Sequence, residues 1–414
     1  MRALSPRDTV PAPEHVVLRD HFSEEEIRRG RRYARPQAAI ALARGLVDAG
    51  ALAAVVTRRR TAAEGASAGA VGVATHGRRA GTAQPGTARA VSQPGTARAV
   101  LAGAATGAGL TAALALPGLP LSALARRRAL AVGLATQSWA DWGSDLVKGT
   151  ALQSAMAGAG GAGLVALMRR WPRTWWLPGA AGSVLVGAGL AALAPVVLDP
   201  IFNEFTPLPD GDTRADVLAL AREAGVAVGE VYAVDASRRT TAANAYVTGL
   251  GPTKRVVLFD TLLERYSRDE IRVVVAHELA HVRHRDVLRS VAFAALTAPA
   301  TALAGQRLGW ELSPDRGTAG SLPAIALALG IASAPVGVIS RRLSRRIERR
   351  ADAFSLELAG APEAFVSFER TIALQNVADI EPPRLVELLS THPSTGERIG
   401  AALAFQRRGA AVAS

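Results

Sequence analysis

Six long apolar stretches are the feature that most constrains what this chain can fold into. Each holds about 20 residues, the length that an α-helix needs to cross a bilayer core about 30 Å thick. They lie near residues 36–56, 99–118, 149–168, 175–198, 287–306 and 319–340. The sequence therefore predicts a mainly α protein, a polytopic membrane helical bundle of about six transmembrane helices. The alternative is a soluble protein whose Gly/Ala-rich helices are buried in its core.

Arginine-rich segments indicate how such a bundle is oriented. The net charge is +13, and arginines cluster beside the apolar stretches at residues 28–35, 126–128 and 341–350. If these segments are cytoplasmic, both termini and residues 199–286 also lie on the cytoplasmic side. The arginine-containing segment 57–98 then falls on the opposite side and disagrees with the charge rule. We predict a multi-pass cell-membrane protein whose partner is the lipid bilayer and not nucleic acid.

The same pattern divides the chain into three parts. Residues 1–35 form a cytoplasmic N-terminal segment, 36–198 a membrane domain with four spans, and 199–414 a second domain that includes the last two spans. Within the membrane domain, residues 57–98 are a low-complexity insertion in which QPGTARAV occurs twice. Such a composition buries too little apolar surface to order itself. We therefore expect residues of about 60–97 to be disordered.

Residues 199–286 have the pattern of a water-exposed α/β segment with a small β-sheet. A helix is predicted over 213–224, and β-branched runs predict strands at 231–237 and 255–263. Ser267, with Glu270 three residues later, has the spacing of a capping box. A further helix is therefore expected to begin at this point.

That helix carries HELAH at residues 277–281, the strongest sign of chemistry in the sequence. The pattern H-E-x-x-H places His277 and His281 on one helix face, where both imidazoles reach one ion. Glu278 lies beside such an ion and can take a proton from water that the ion activates. Because the chain has no cysteine, we predict one Zn²⁺ per chain held by His and carboxylate ligands, favoured over cobalt or manganese by ligand type and availability. The alternative is an ordinary helix whose histidines face solvent or loop carbonyls.

A catalytic zinc takes three protein ligands and leaves a fourth position to water. The third ligand is predicted to be a carboxylate or His392, and the best carboxylate is Glu348. Glu348 and Asp352 stand four apart on a predicted helix, which suits one ligand and one carboxylate that orients a ligand histidine. Alternatively, the two balance neighbouring arginines on a solvated helix. His284 occupies the glycine position of H-E-x-x-H-x-x-G-x-x-H, which excludes that class, and we expect it behind the ligands or at the surface.

Several ordered motifs extend the comparison beyond H-E-x-x-H. They are HFSEEEIRRGRRYA at 21–34, GLATQSWADWGSDLVKG at 133–149, DPIFNEFTPLP at 199–209, NAYVTG at 244–249, RVVLFDTLL at 255–263, HELAH at 277–281, ERRAD at 348–352 and STHPSTGERI at 390–399. With these motifs the chain resembles the integral-membrane zinc metallopeptidases of the type I CAAX prenyl endopeptidase family, in its bacterial form. The resemblance implies a zincin-type (gluzincin) catalytic domain over 199–414.

The resemblance also implies roles for the residues at the predicted metal site. His277, His281 and Glu348 would be the zinc ligands. Glu278 would be the general base, and Asp352 would support the ligands.

Four further residues take implied roles in substrate binding and oxyanion stabilisation. Asn244, on an edge strand beside the zinc, would bind the substrate backbone and polarise the scissile carbonyl. His392 would stabilise the oxyanion, with Arg398 nearby, and Tyr246 of the same NAYVTG segment would support the site or bind substrate. The residues alone leave Asn244 open to a simpler interpretation as a turn residue.

Together these features predict a membrane-embedded zinc metalloendopeptidase, similar to CAAX prenyl endopeptidases, that acts on peptide or membrane-protein substrates. Pairing of an extended substrate with the NAYVTG strand reads backbone more than side chains, which predicts broad specificity. One alternative is a quality-control protease of membrane proteins with no prenyl preference. Another is a non-catalytic membrane scaffold, but a degenerate scaffold has no reason to keep the general base.

Overall fold

Helices dominate the computed structural model, which describes residues 12–76, 95–249 and 254–413. Fourteen α-helices occur in these residues: α1 Glu24–His76, α2 Thr96–Ala115, α3 Leu119–Ala131, α4 Trp139–Arg170, α5 Trp176–Val197, α6 Asp199–Phe202, α7 Asp212–Glu223, α8 Asp260–Arg265, α9 Arg268–Arg283, α10 Asp286–Leu312, α11 Leu322–Ala359, α12 Pro362–Gln375, α13 Arg384–Leu389 and α14 Thr395–Ala413. Within the described residues, six of them (α1, α2, α4, α5, α10 and α11) are long and apolar enough to cross a membrane. The six predicted spans are confirmed as helices, and the protein is a polytopic helical bundle.

Close contact between α2 and α4 depends on glycine. A Cβ at Gly103 would lie 2.7 Å from the carbonyl oxygen of Gly161, and one at Gly107 would lie 2.2 Å from that of Ala157. Lipid is as apolar as leucine, so membrane helices gain most from tight backbone packing at small residues. The GAATG segment at 103–107 therefore fixes where these two helices touch.

A four-stranded sheet forms the base of the catalytic layer, the part of the protein outside the six spans that carries α7–α9 and α12–α14. Its strands are β1 Phe205–Pro207, β2 Glu230–Val234, β3 Ala245–Thr248 and β4 Arg255–Phe259. Their spatial order is β1-β2-β4-β3, with β2 parallel to β4 and both outer strands antiparallel to their neighbours. Strands form at both β-branched runs, but they end at Val234 and Phe259, so the predicted ends 235–237 and 260–263 are wrong, the second because α8 begins at Asp260. Strand β3 lies at the edge of the sheet.

Apolar side chains of α9 pack against this sheet and fix the position of the HELAH motif. Val275 and Leu279 are fully buried, in one core with Val256 and Leu258 of β4. Ser267 accepts a hydrogen bond from the backbone of the third helical residue, and the predicted capping box is present. The helix therefore begins where the sequence predicts and buries the face that the sequence marks as apolar.

The prediction of disorder over about 60–97 is wrong for its first part. Helix α1 continues to His76. This part of the chain is rich in alanine, the best helix former, and Arg60 pairs with Glu64 one turn later at 3.0 Å. Residues 77–94, including most of the QPGTARAV repeat, lie outside the described residues.

Candidate metal centre

Three side chains from two helices bring their donor atoms together at the membrane side of α9. The Nε2 atoms of His277 and His281 are 3.3 Å apart. The carboxylate of Glu348, on α11, lies 3.3 Å from His277 Nε2 and 3.8 Å from His281 Nε2. Glu278 also places a carboxylate oxygen within 4.8 Å of both histidines. The residues that the sequence analysis selected as ligands and base therefore meet at one point.

The donor set fits a zinc ion. Ligand atoms about 2 Å from a tetrahedral metal lie about 3.3 Å from one another, close to the separations observed here. Glu348 Oε2 is buried and lies 3.3 Å from the Nε2 atoms of both His277 and His392. A buried carboxylate of this kind is costly unless a cation or a hydrogen-bond donor satisfies it, and a bound metal ion would do so. Two imidazoles and one carboxylate are also the ligands of known catalytic zinc sites.

Each histidine is oriented from behind by its own carboxylate. His277 Nδ1 lies 2.9 Å from Asp352 of α11, which Arg398 holds with contacts of 2.6 and 3.0 Å. His281 Nδ1 lies 3.1 Å from Asp286, the first residue of α10. Such partners fix the ring orientation and raise the basicity of the ligand nitrogen. Asp352 thus lies directly behind His277, on the side of the ring away from His281 Nε2 and Glu348.

Asp286 was not singled out in the sequence analysis. It follows His281 by five residues, a separation that does not place two side chains on one helix face. The chain turns between α9 and α10 at Arg285, whose backbone is left-handed with φ of 55°, and this turn brings Asp286 back onto the histidine. The buried Arg350 holds the other oxygen of Asp286. The local signal for this contact is the acidic residue that ends the run HVRHRD at residues 281–286.

A cavity of about 430 Å³ opens beside the motif and collects the residues expected to bind substrate. Asn244, Glu278, His392 and Arg398 all line it. His392 Nε2 lies 3.3 Å from the Glu348 carboxylate, with its side chain 60% exposed. Asn244 directly precedes β3, so the cavity reaches the start of the edge strand.

Tyr246 and His284 lie away from this cavity. The hydroxyl of Tyr246 donates to Asp199, at 3.4 Å, and Tyr246 is not among the cavity-lining residues. His284 contacts the carbonyl of Ala280 at 3.0 Å and meets the ring of Phe354 edge-on. The structure therefore does not bring Tyr246 to the site, and His284 is packed at the end of α9 and not behind the ligands.

A second cavity, of about 770 Å³, lies on the membrane side between α5, α10 and α11. Its lining includes His281, Asp286 and Glu348, whereas the first cavity is lined by His277 and Glu278. The donor set thus lies between a cavity of the catalytic layer and one of the helical bundle.

Charge in the site is unevenly balanced. Burial lowers the pKa of His277, but its contacts with the carboxylates of Asp352 and Glu348 outweigh burial and raise that pKa to about 10. The same negative surroundings favour a divalent cation. Burial also raises the pKa of Glu278 above the ordinary range of a glutamate. A less acidic carboxyl group is a stronger base towards water.

Glu369 of α12 is the other residue that the sequence analysis missed. It is buried and contacts Arg398 at 2.6 Å, on the side of the guanidinium that does not bind Asp352. Burial raises the pKa of Glu369 to about 7, against the opposing effect of Arg398. Arg398 thus joins two buried carboxyl groups, and nothing in the local sequence of α12 marks this partner.

Comparison with known proteins gives the family context of this geometry. Residues 207–405 match the model of Peptidase family M48. The chain is 31% identical over 296 residues to a protein described as the uncharacterized metalloprotease YhfN of Bacillus subtilis (strain 168), and the match covers 68% of each chain. It is 42% identical over 105 residues to CAAX prenyl protease 1 of Saccharomyces cerevisiae, but this match covers only 25% of the chain and 23% of that protein.

The fold is also similar to that of a solved membrane protein. The crystal structure of S. mikatae Ste24p superimposes with a TM-score of 0.72, covering 96% of this chain and 92% of that one at 22% identity. The similarity extends over the membrane bundle as well as the catalytic layer. At this level of identity it supports the architecture and not a shared substrate.

Proposed function

The chain belongs to Peptidase family M48 and is a membrane metalloprotease, and on that premise we propose that it hydrolyses peptide bonds at the site formed by α9 and α11. The observation that carries this proposal is the meeting of two imidazoles, one carboxylate ligand and an adjacent glutamate beside a cavity at a sheet edge. Peptidases of this family are in general zinc-dependent. His277, His281 and Glu348 would hold one Zn²⁺.

Zinc bound at these residues would supply a Lewis acid that activates water and polarises the substrate carbonyl. Glu278 takes the proton of the attacking water and later returns it to the leaving amine. Its raised pKa favours the first step, because a less acidic carboxyl group is a stronger base towards water.

In this proposal His392 and Asn244 bind the substrate oxygen that becomes negative. Both line the cavity that also contains Glu278. Hydrogen-bond donors fixed where charge develops stabilise the transition state without reorganisation. An extended substrate would pair with the outer edge of β3, and such backbone pairing would give the broad specificity expected from the sequence. Arg398 holds Asp352 and is therefore a positioning residue, and Tyr246 has no role in this scheme.

We further propose that the substrate is a peptide or a membrane protein and that the catalytic layer faces the cytoplasm. The arginine clusters near the catalytic ends of α1, α3 and α11 support this orientation. Cleavage of CAAX-type prenylated peptides is the first candidate activity, because a relative named CAAX prenyl protease 1 is 42% identical over the part that matches. Quality control of membrane proteins without prenyl preference is the second candidate activity. Pairing with β3 would recognise the backbone of the substrate and not its side chains.

The test compares the wild type with Glu278→Gln in detergent or lipid nanodiscs, with an unstructured peptide library and a farnesylated CAAX peptide as substrates. We expect cleavage by the wild type, and loss of about 10³-fold or more in Glu278→Gln and with a chelator. Metal analysis should show one zinc in both proteins. The preferred substrate separates the two candidate activities.

Equal cleavage by the wild type and Glu278→Gln would refute the proposed mechanism. So would the absence of bound zinc from active wild-type protein. Absence of cleavage with zinc bound would favour the scaffold alternative.

A further inference from the structure

Helix α13 exposes an unusual amount of apolar surface for a helix of the catalytic layer. Leu385, Val386, Leu388 and Leu389 are 68%, 42%, 59% and 49% exposed. Their spacing of i, i+1, i+3 and i+4 places all four on one helix face. Single exposed apolar residues are normal, but a contiguous apolar face indicates a partner or a membrane.

The attachment of α13 places it at the level of the membrane surface. Arg345 of α11 donates to the carbonyl oxygens of Leu388 and Ser390, at 2.9 and 2.7 Å. Ile339, an exposed residue near the end of the apolar part of α11, lies six residues earlier. Six helical residues span about 9 Å, and the headgroup layer on each side of a bilayer core is about 5–8 Å thick. Helix α13 is thus held close to where the bilayer ends.

Arginines flank α13 on α11 and at its own first residue, and the acidic residue of α13 is Glu387. Arg341 and Arg342 of α11 and Arg384 of α13 form no salt bridge with any residue in the part of the chain that the structure describes. Arginines at this depth attract the phosphate groups of anionic lipids, and an apolar face flanked by cations is typical of helices that lie in the interface. A protein partner would need a surface that is both acidic and apolar, and it would have to bind α13 without clashing with the adjacent bilayer.

We propose that α13 lies in the membrane surface on the catalytic side, with its four apolar side chains in the lipid interface, and that the bilayer thereby helps to position His392. The membrane contact of α13 is independent of the proposed function, whereas the positioning of His392 rests on the role of His392 in that function.

The link from α13 to His392 is short. Ser390 and Thr391 are the only residues between the end of α13 and the histidine. Ser390 Oγ accepts from the backbone nitrogen of His392 at 3.2 Å, and Thr391 Oγ1 contacts its Nδ1 at 2.9 Å. The His392 ring is 60% exposed, so little packing from the rest of the protein holds it. A shift of α13 would therefore move His392 relative to Glu348.

The immersion of α13 can be measured without reference to activity. The chain has no cysteine, so nitroxide labels can be placed singly. We would label Leu388→Cys in nanodiscs containing an anionic phospholipid and compare its accessibility to oxygen and to a water-soluble nickel chelate. Leu185→Cys, in span α5 and 73% exposed, is the lipid reference. Asp210→Cys, whose native side chain is 97% exposed, is the water reference.

We expect Leu388→Cys to favour oxygen, as Leu185→Cys does. A nickel accessibility equal to that of Asp210→Cys would overturn the inference, whatever the peptidase activity. Conversely, retained activity in Glu278→Gln would refute the proposed function and leave the depth measurement intact. The two failures are therefore distinguishable.

The coupling to His392 is tested with Leu385→Gln/Leu388→Gln, assayed in nanodiscs. Displacement of a catalytic group by about 1 Å can cost up to 10²-fold, so we expect activity to fall at least about tenfold with zinc content unchanged. Val17→Gln, which alters another exposed apolar residue, is the control and should keep full activity. Full activity in the double variant would overturn the coupling.

Discussion

The contact between α2 and α4 and the contact between α9 and the sheet are built from opposite kinds of residue. In the bundle, Gly103 and Gly107 let two backbones touch. In the catalytic layer, Val275 and Leu279 fill the space between helix and strands. The first surroundings are lipid, in which burying an apolar side chain gains little, whereas the second are water, in which it gains much. The difference shows that the chain uses two separate means of holding helices in place.

Buried charge follows the same division. Its main clusters, around Asp352, Asp286 and Glu369, lie in or next to the catalytic layer. There each carboxylate has an arginine or histidine partner. We therefore expect the stability of the catalytic layer to be most sensitive to the loss of a buried charge. The stability of the bundle should be most sensitive to an added methyl group at a helix contact.

The largest effect should come from Arg398→Gln. This change leaves Asp352 and Glu369 buried without their shared cation, and breaking a buried pair costs about 3–5 kcal/mol. Thermal unfolding in detergent should show a lower Tm, together with weaker zinc binding because Asp352 orients His277. Arg407→Gln is the control, because Arg407 pairs with Glu14 at the surface, where its side chain is 77% exposed. An equal loss of Tm in Arg407→Gln would contradict the conclusion that buried charge pairs stabilise the catalytic layer.

Gly107→Ala should have the next largest effect. The new Cβ would lie 2.2 Å from the carbonyl oxygen of Ala157, which is backbone and cannot move aside. Overpacking of this kind costs about 1–3 kcal/mol. Gly109→Ala in the same helix has open space around its Cβ and should be neutral or slightly stabilising. Equal Tm values for the two variants would mean that α2 and α4 do not touch at Gly107.

The smallest effect is a change in pH dependence in Glu369→Gln. The pKa of Glu369 is about 7 in the folded protein, above the ordinary glutamate value of 4.5. Between these values the unfolded chain loses the proton while the folded protein keeps it, so stability falls as the pH rises from about 4.5 to 7. Glu369→Gln should remove this part of the slope of Tm against pH, and Glu363→Gln, at an exposed position of the same helix, should not. An unchanged slope in Glu369→Gln would show that Glu369 is ionised when folded.

The sequence predicted those elements that obey regular spacing. The six apolar runs, the capping box at Ser267 and the i, i+4 pair of histidines each depend on residues close in the chain. The contact of Asp286 with His281 was not predicted, because the left-handed backbone of Arg285 ends the helix directly before Asp286. Glu369 escaped because its partner Arg398 lies on another helix, and the helical part of 60–97 because local alanine content outweighed the low complexity of the segment.

The order of the site residues along the chain has a consequence for how the protein matures. His277 and His281 are synthesised before α10, and Glu348 only after α10 and most of α11. On the proposed ligand set, a nascent chain that has exposed the H-E-x-x-H helix still lacks its third zinc ligand. That ligand is synthesised only after the apolar parts of the last two spans. Proteolytic competence would then be postponed until these spans have been made, which would spare the cell an active peptidase on an unfinished chain.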